Sequence, residues 1–210
     1  MRAVILLCSV AACHPHPDEP AVGTQLSVNN TLAANTTVYV AFGSDSKITA
    51  DDWSFCEGSG LVCSFELAGH EVKPLPNPEG KYLNGTFSFG APVGCGSTKA
   101  EVNLNNPDWF DVMDVSLVDG YSNDIEIVST PEGGEAVVLG PPKGQDGNET
   151  VFGLFPYGCD TCVARENPPC GITKGTDGCK KGSQNDPDVP CQFQGATKGG
   201  GKATVEIVLK

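Results

Sequence analysis

Short runs of alternating apolar and polar residues recur along the chain, and a period of two is typical of a β-strand with one buried face. In Thr36–Phe42 this pattern places Val38, Val40 and Phe42 together on one face. Comparable runs predict further strands at Leu61–Leu67, Gly85–Phe89, Val112–Val118, Asp124–Val128, Ala136–Leu139, Thr150–Leu154 and Ala203–Leu209.

Turn-forming residues separate these runs, and no stretch shows the pattern of an amphipathic helix. The 210 residues include 26 glycines and 16 prolines, a composition that favours many turns and short elements. About ten short strands of this kind predict an all-β domain, built as an antiparallel β-sandwich or flattened barrel. Each sheet of such a fold has one packed face and one face in water.

The first 12 residues have the features of an export signal: a charged start, a short apolar core and small residues before Cys13. The sequence Val10–Cys13 also resembles a bacterial lipobox, which predicts lipidation of Cys13. Residues 13–23 are rich in proline and predict an extended tether. His14 and His16 in this tether have no third ligand nearby, so we predict no metal site there.

A change of composition divides the remaining chain. Residues 24–155 contain most of the alternating runs and predict the sandwich, and residues 202–210 predict its closing strand. Residues 156–201 between them have few aliphatic side chains and could not offset the entropy cost of ordering by burial alone. Their cysteines predict a small lobe of loops that is held together by disulfide bonds.

Ten cysteines are present, of which Cys8 lies in the predicted signal and Cys13 is the lipidation candidate. The other eight are an even number, as four disulfide bonds require, and they are Cys56, Cys63, Cys95, Cys159, Cys162, Cys170, Cys179 and Cys191. Three precede residue 100 and five follow residue 158, so at least one bond must join the two groups if all eight pair. The close pair Cys159 and Cys162 lacks the second close pair of a zinc ribbon and the βαβ setting of a redox motif, so disulfides are the better interpretation.

The candidate chemistry lies in the stretch Glu101–Tyr121. It carries five carboxylates, on Glu101, Asp108, Asp111, Asp114 and Asp119. A charge is costly to bury without a partner, so the aspartates predict either edge and turn positions facing water or an acidic cleft. Asp119-Gly120 ends the predicted strand with turn chemistry.

The same stretch resembles the central segment of thaumatin-like proteins. The residues that carry the resemblance are A-E-V-N-L-N-N-P-D-W-F-D, followed by D-V-S-L-V-D-G-Y. The family pattern there is L-A-E-[FY]-x-L and then D-[FY]-[FY]-D-I-S-L-V-D-G-F. The match covers about twenty residues, and elsewhere the similarity is limited to an all-β, glycine-rich and cysteine-rich texture.

The resemblance implies a cleft between the sandwich and the cysteine-rich lobe, lined in that family by an arginine, a glutamate and three aspartates. The glutamate matches Glu101, and two aspartates match Asp114 and Asp119. No motif carries the third aspartate, for which Asp160 is one candidate. The arginine is a departure, because Arg165 lies in the wrong region, and we therefore expect a cleft without its cation.

Three functions follow from this cleft. The first is binding of a neutral glycan of the β-1,3-glucan type, with Trp109 and Tyr121 stacking on sugar rings, although core packing is the alternative for these aromatics. The second is endo-β-1,3-glucan hydrolysis by Glu101 with Asp114 or Asp119 as an acid and base pair. The third is recognition or inhibition of another protein.

Charge and hydropathy limit the partners. The chain has 26 acidic and 13 basic residues, a net charge of −13, which argues against binding to nucleic acid or anionic lipid. It has no apolar run of about 18 residues, so we predict no transmembrane helix. We expect an exported monomer without cofactor or metal, secreted or attached to the cell envelope through Cys13.

Overall fold

The computed structural model describes residues 23–94, 96–116, 122–140, 192–198 and 202–210, with the backbone alone for 192–198. The described part forms twelve strands and one short 3-10 helix, Ala50–Asp52. The first six strands are β1 (Gln25–Asn30), β2 (Thr36–Phe42), β3 (Glu57–Ser59), β4 (Val62–Leu67), β5 (Val72–Leu75) and β6 (Leu83–Phe89). The others are β7 (Lys99–Leu104), β8 (Phe110–Ser116), β9 (Ile125–Pro131), β10 (Val137–Leu139), β11 (Gln192–Lys198) and β12 (Ala203–Leu209). None of the described helices is long and apolar enough to cross a membrane.

The strands form two sheets. A five-stranded sheet has the order β10-β9-β12-β1-β5, and a seven-stranded sheet has the order β11-β8-β7-β6-β2-β4-β3. The neighbours β1 and β12 run parallel, and every other strand pair in the described ranges is antiparallel. The all-β prediction is therefore confirmed, with one parallel pair that it did not include.

One hydrophobic core lies between the sheets. Residues on one side of most of the strands are buried, such as Val38 and Val40 in β2 and Val205 and Ile207 in β12, and they belong to one apolar cluster. Burial of these faces against each other supplies the main stabilisation of a β-sandwich. The opposite face of each sheet points away from this core.

Several predicted strands agree with the structure. Thr36–Phe42 and Ala203–Leu209 have the predicted bounds, and most of the others differ by one to three residues. The run Thr150–Leu154 lies outside the described residues. The strand β11 falls in the range that the sequence assigned to the cysteine-rich lobe, yet it pairs with β8 at the edge of the seven-stranded sheet.

A disulfide bond joins Cys56 to Cys63, with 5.3 Å between their Cα atoms. It closes the hairpin of β3 and β4, because Cys56 directly precedes β3 and Cys63 lies in β4. The other six predicted disulfide cysteines and Cys13 lie outside the described residues. If all eight pair, Cys95 is now the residue that must join the early and late groups.

A buried polar cluster connects the two sheets at the turn between β7 and β8. The Thr24 hydroxyl donates to one carboxylate oxygen of Asp111, and the Asn105 backbone N–H donates to the other at 2.7 Å. The Asn105 side chain in turn accepts from the Thr24 N–H at 2.7 Å and donates to the Thr24 carbonyl at 2.9 Å. Neither proposed setting for the aspartates, a water-facing edge or a cleft, describes Asp111, which is 4% exposed and satisfied by hydrogen bonds.

Candidate functional site

Glu101 and Asp114 lie opposite each other on the outer face of the seven-stranded sheet. They are cross-strand partners in the register of β7 and β8. In both strands the residues on either side of them are buried in the core, so the two carboxylates project on the other side. Directly opposed residues of an antiparallel pair have their Cβ atoms about 4.5–5.5 Å apart. The structure therefore brings together two of the three predicted acidic residues.

The carboxylate pair belongs to a row of residues that runs across the sheet. Thr86 of β6 is the partner of Glu101 on its other side, and the position beyond Asp114 is Gln192 of β11. Lys99 and Asn103 flank Glu101 along β7 on the same face, because strand side chains alternate. Around the pair, the described part of the outer face thus combines carboxylates with neutral hydrogen-bonding groups and the cation of Lys99.

A hydrogen-bonded chain of side chains continues this face toward the turn of β7 and β8. The Asn103 amide donates to the Tyr82 hydroxyl at 2.8 Å, and Tyr82 donates to one oxygen of Asp45 at 3.1 Å. The Asn84 amide donates to the other oxygen of Asp45 at 2.8 Å. These contacts fix the orientation of four polar side chains, so the face is preorganised to exchange hydrogen bonds with a ligand.

The same contacts shift the ionisation of two groups in the chain. The hydrogen bonds from Asn84 and Tyr82 lower the pKa of Asp45. Burial and the hydrogen bond to Asp45 raise the pKa of Tyr82. Asp45 is therefore an anion and Tyr82 a neutral donor over the whole range near neutrality.

Of the other predicted site residues, Trp109 lies away from the carboxylate pair, and the rest lie outside the described residues. Trp109 lies in the turn between β7 and β8, about 16 Å along the strand from Asp114 at the usual rise per residue. Trp109 is 51% exposed, and its ring packs at a steep angle against that of Phe110, so it is not a core residue. Asp119, Tyr121, Asp160 and Arg165 lie outside the described residues.

Lys99 adds a cation to this face that the sequence did not predict. The expected cleft had no positive charge because no arginine fits, but Lys99 lies two residues before Glu101 and shares its side of β7. Counting in steps of two from Glu101 would have found both Lys99 and Asn103. Thr86 carried no such signal, because its place opposite Glu101 depends on the pairing of β6 with β7.

A hollow also lies on the five-stranded sheet. It has a volume of about 450 Å³ and lies over a row formed by Gln25, Thr204 and Thr130 of the five-stranded sheet. Glu132 is the one acidic residue among those that line it. We place the candidate site at the carboxylate pair instead, because paired acids carry a more specific chemistry than volume alone.

The arrangement favours recognition of hydroxyl groups. Carboxylates accept hydrogen bonds, and the amides and hydroxyls around them both donate and accept. Within the described ranges no group of three or more histidine, cysteine, aspartate or glutamate side chains is placed to hold a metal ion.

Comparisons with known proteins give limited information. No protein-family model matches the chain, and no curated protein matches it. Among solved structures it is similar to the thaumatin-like xylanase inhibitor TLXI, with 12% sequence identity and a TM-score of 0.41, over 88% of this chain and 97% of that chain. A likeness of this size carries no argument about family or function, so the thaumatin-like resemblance of the central segment stays a prediction.

Proposed function

We propose that the outer face of the seven-stranded sheet binds a neutral glycan, of the β-1,3-glucan type, around Glu101 and Asp114. The observation that carries the proposal is the register of β7 with β8, which sets these two carboxylates side by side on an outward face. Like charges in directly opposed positions destabilise a sheet. Two carboxylates that lie side by side on an outward face form a set of hydrogen-bond acceptors that a hydroxyl-rich ligand can use.

The surroundings of the pair support a neutral and hydroxyl-rich ligand. Thr86, Asn103 and Asn84 add neutral hydrogen-bonding groups to the same face, and Tyr82 and Asp45 hold the two amides in place. The net charge of −13 disfavours polyanionic ligands. Sugar hydroxyls can donate to the carboxylates and accept from the amides at once.

Export of the protein is part of the proposal. The disulfide between Cys56 and Cys63 supports it, since such bonds persist in oxidising compartments and are rare in the cytosol. Secretion and attachment through a lipidated Cys13 remain the two expected forms. Fractionation of the native host, with metabolic labelling of acyl chains, distinguishes them.

A pull-down on insoluble β-1,3-glucan tests the binding directly. We expect the protein to sediment with the glucan and the variant Glu101→Gln to bind at least about tenfold more weakly, because hydrogen bonds to a charged group contribute about 1.5–3 kcal/mol. Glu135→Gln is the matched control, because Glu135 is exposed between β9 and β10 in the other sheet. Wild-type protein that stays in the supernatant would contradict the proposal, and a single co-purifying protein would favour protein recognition instead.

Glucan hydrolysis is a second candidate, favoured by the same register. Retaining glycosidases hold their two carboxyl groups about 5–5.5 Å apart. The Cβ atoms of directly opposed strand residues lie about 4.5–5.5 Å apart, which permits a carboxyl separation of this size. On this hypothesis Glu101 and Asp114 share the roles of acid and nucleophile. Release of reducing sugar from β-1,3-glucan that disappears in both Glu101→Gln and Asp114→Asn would establish it, and no release from wild type would exclude it.

A further inference from the structure

A hollow of about 280 Å³ lies on the same outer face as the carboxylate pair, near the edge of the seven-stranded sheet that β4 and β3 form. Tyr39 and Ala41 of β2 and Val62 of β4 lie on the face beneath it. Pro92 and Val93, which follow β6, form one wall of this hollow. Val62 is 60% exposed, although its side chain is apolar.

The register of the sheet connects this hollow to the carboxylate pair. From Asp114 a single row passes through Glu101 and then to Thr86. The next two positions of the row are Ala41 and Val62, which belong to the hollow. At a strand spacing of about 4.8 Å, Ala41 lies about 10 Å and Val62 about 14 Å from Glu101.

The edge hairpin that carries the hollow is held in a defined position. Glu57 of β3 and Cys63 of β4 both line the hollow, and the disulfide to Cys56 closes this hairpin. The Ser64 hydroxyl also donates to the Glu57 carbonyl at 3.3 Å. A preformed hollow with an apolar floor and a few polar groups is typical of ligand sites.

We infer that this hollow is a second subsite for the same glycan chain, which lies across the strands from Asp114 to Val62. The inference rests on the proposed function of the carboxylate pair. Tyr39 and Val62 supply an apolar platform for the less polar face of a sugar ring, because a tyrosine combines an apolar body with a polar tip. Glu57 and Ser64 also line the hollow, and carboxylate and hydroxyl oxygens can accept hydrogen bonds from sugar hydroxyls.

The direction in which the glycan crosses the strands has a consequence that can be measured. An oligosaccharide must cross about 14 Å to reach both the carboxylate pair and Val62. A disaccharide can occupy the carboxylate pair alone, whereas a hexasaccharide can occupy both subsites. The alternative direction, along β8, would lead the ligand to Trp109 in the turn of β7 and β8.

Calorimetric titration with laminaribiose and laminarihexaose tests the subsite. We expect wild type to bind the hexasaccharide at least about tenfold more tightly than the disaccharide, as loss of a central contact typically costs a factor of this size. Val62→Glu and Tyr39→Ala should each remove this advantage and leave the disaccharide affinity unchanged. Val138→Glu is the matched control, because Val138 is an exposed valine on a strand of the other sheet.

The outcomes separate the subsite from the proposed function. The subsite is overturned if the higher affinity for the hexasaccharide survives both Val62→Glu and Tyr39→Ala. It is also overturned if that higher affinity is lost only in Trp109→Ala. Weakening of both ligands by Glu101→Gln supports the carboxylate pair independently of the hollow. Wild-type protein that binds neither sugar overturns both. Val62 is exposed, so Val62→Glu keeps the test valid even if Tyr39→Ala does not fold.

Discussion

The backbone N–H of Asn105 donates to the buried carboxylate of Asp111 at 2.7 Å, across the turn that joins β7 to β8. The same carboxylate accepts from Thr24, which directly precedes β1 in the five-stranded sheet. One aspartate therefore connects the two sheets at the end of the strands that carry Glu101 and Asp114. Its role is structural, and it makes the stability of the protein depend on pH.

Replacement of Asp111 by asparagine should change that dependence. Burial raises the pKa of Asp111, although the hydrogen bonds from Thr24 and Asn105 oppose the shift. Between the ordinary pKa of about 3.9 and the higher folded-state value, the unfolded chain has lost the proton and the folded protein keeps it. The contribution of Asp111 to stability is thus present in full below the ordinary pKa and falls as pH rises through the folded-state value.

We therefore expect wild type to gain stability relative to Asp111→Asn as the pH is lowered from neutrality through this window. Urea denaturation of both proteins at a series of pH values measures the difference in the free energy of unfolding. A difference that stays constant, or that grows in the opposite direction, would show that Asp111 does not titrate in this manner.

Asn105 should be sensitive to substitution for two separable reasons. Its backbone has φ of 58°, in the left-handed region, and its side chain bonds both backbone groups of Thr24. Asn105→Ala loses the side-chain bonds and keeps the unfavourable φ, so we expect a loss of about 2–4 kcal/mol. Asn105→Gly loses the same bonds but tolerates this φ, and should be about 1 kcal/mol more stable than the alanine variant. Equal stabilities of the two variants would contradict the strain.

Neutralising Glu101 should stabilise the fold. Like charges directly opposite each other destabilise a sheet, and Glu101→Gln relieves this repulsion with Asp114. We expect a rise in the free energy of unfolding at low salt and pH 7 that becomes smaller at high salt, since salt screens charges. Glu135→Gln serves again as the control for the change in net charge. A clear loss of stability in Glu101→Gln would mean that the carboxylate supports the fold.

The disulfide between Cys56 and Cys63 should contribute to stability through the unfolded chain. A closed loop of this length predicts about 2–3 kcal/mol in the chain-entropy description. The double variant Cys56→Ala/Cys63→Ala should lose about this amount in urea denaturation. A loss well below 1 kcal/mol would indicate that the hairpin is already closed in the unfolded state.

The same bond makes a prediction about Cys95. With Cys56 and Cys63 paired, parity requires that Cys95 joins one of the five later cysteines if all eight form bonds. Mass spectrometry of an unreduced proteolytic digest should show a peptide containing Cys95 linked to one from residues 159–191. A free thiol on Cys95 would contradict the four-bond scheme.

The sequence predicts strands where every second residue is apolar. β2 and β12 have the predicted bounds because each has an apolar residue at every second position, Val38, Val40 and Phe42 in β2 and Val205, Ile207 and Leu209 in β12. β5 is not predicted, since it is short, contains Pro74 and lies at a sheet edge, where proline is tolerated. β1 is not predicted either, because only Leu26 and Val28 of its six residues are apolar and its last two residues are asparagines, which are depleted in strands.

Only part of the candidate site could be predicted from the sequence. Composition and the family-like motif single out Glu101 and Asp114, but their contact depends on the register of two strands. That register is set by the five-residue turn Asn105–Trp109 and by the Asn105 backbone conformation, neither of which has a period that a sequence pattern reveals. Thr86 and the distant hollow depend on further pairings of the same kind.

Mapping a bound glucan oligosaccharide onto the sheets by NMR is the most direct test of a glycan site at the carboxylate pair. Titration with laminarihexaose should shift the amide signals of Glu101, Asp114 and Thr86, followed along the row by those of Ala41 and Val62. The signals of the five-stranded sheet, such as those of β9 and β10, should stay unchanged. Shifts confined to the five-stranded sheet, or no shifts at saturating oligosaccharide, would contradict the central claim that the opposed carboxylates of β7 and β8 form a glycan site.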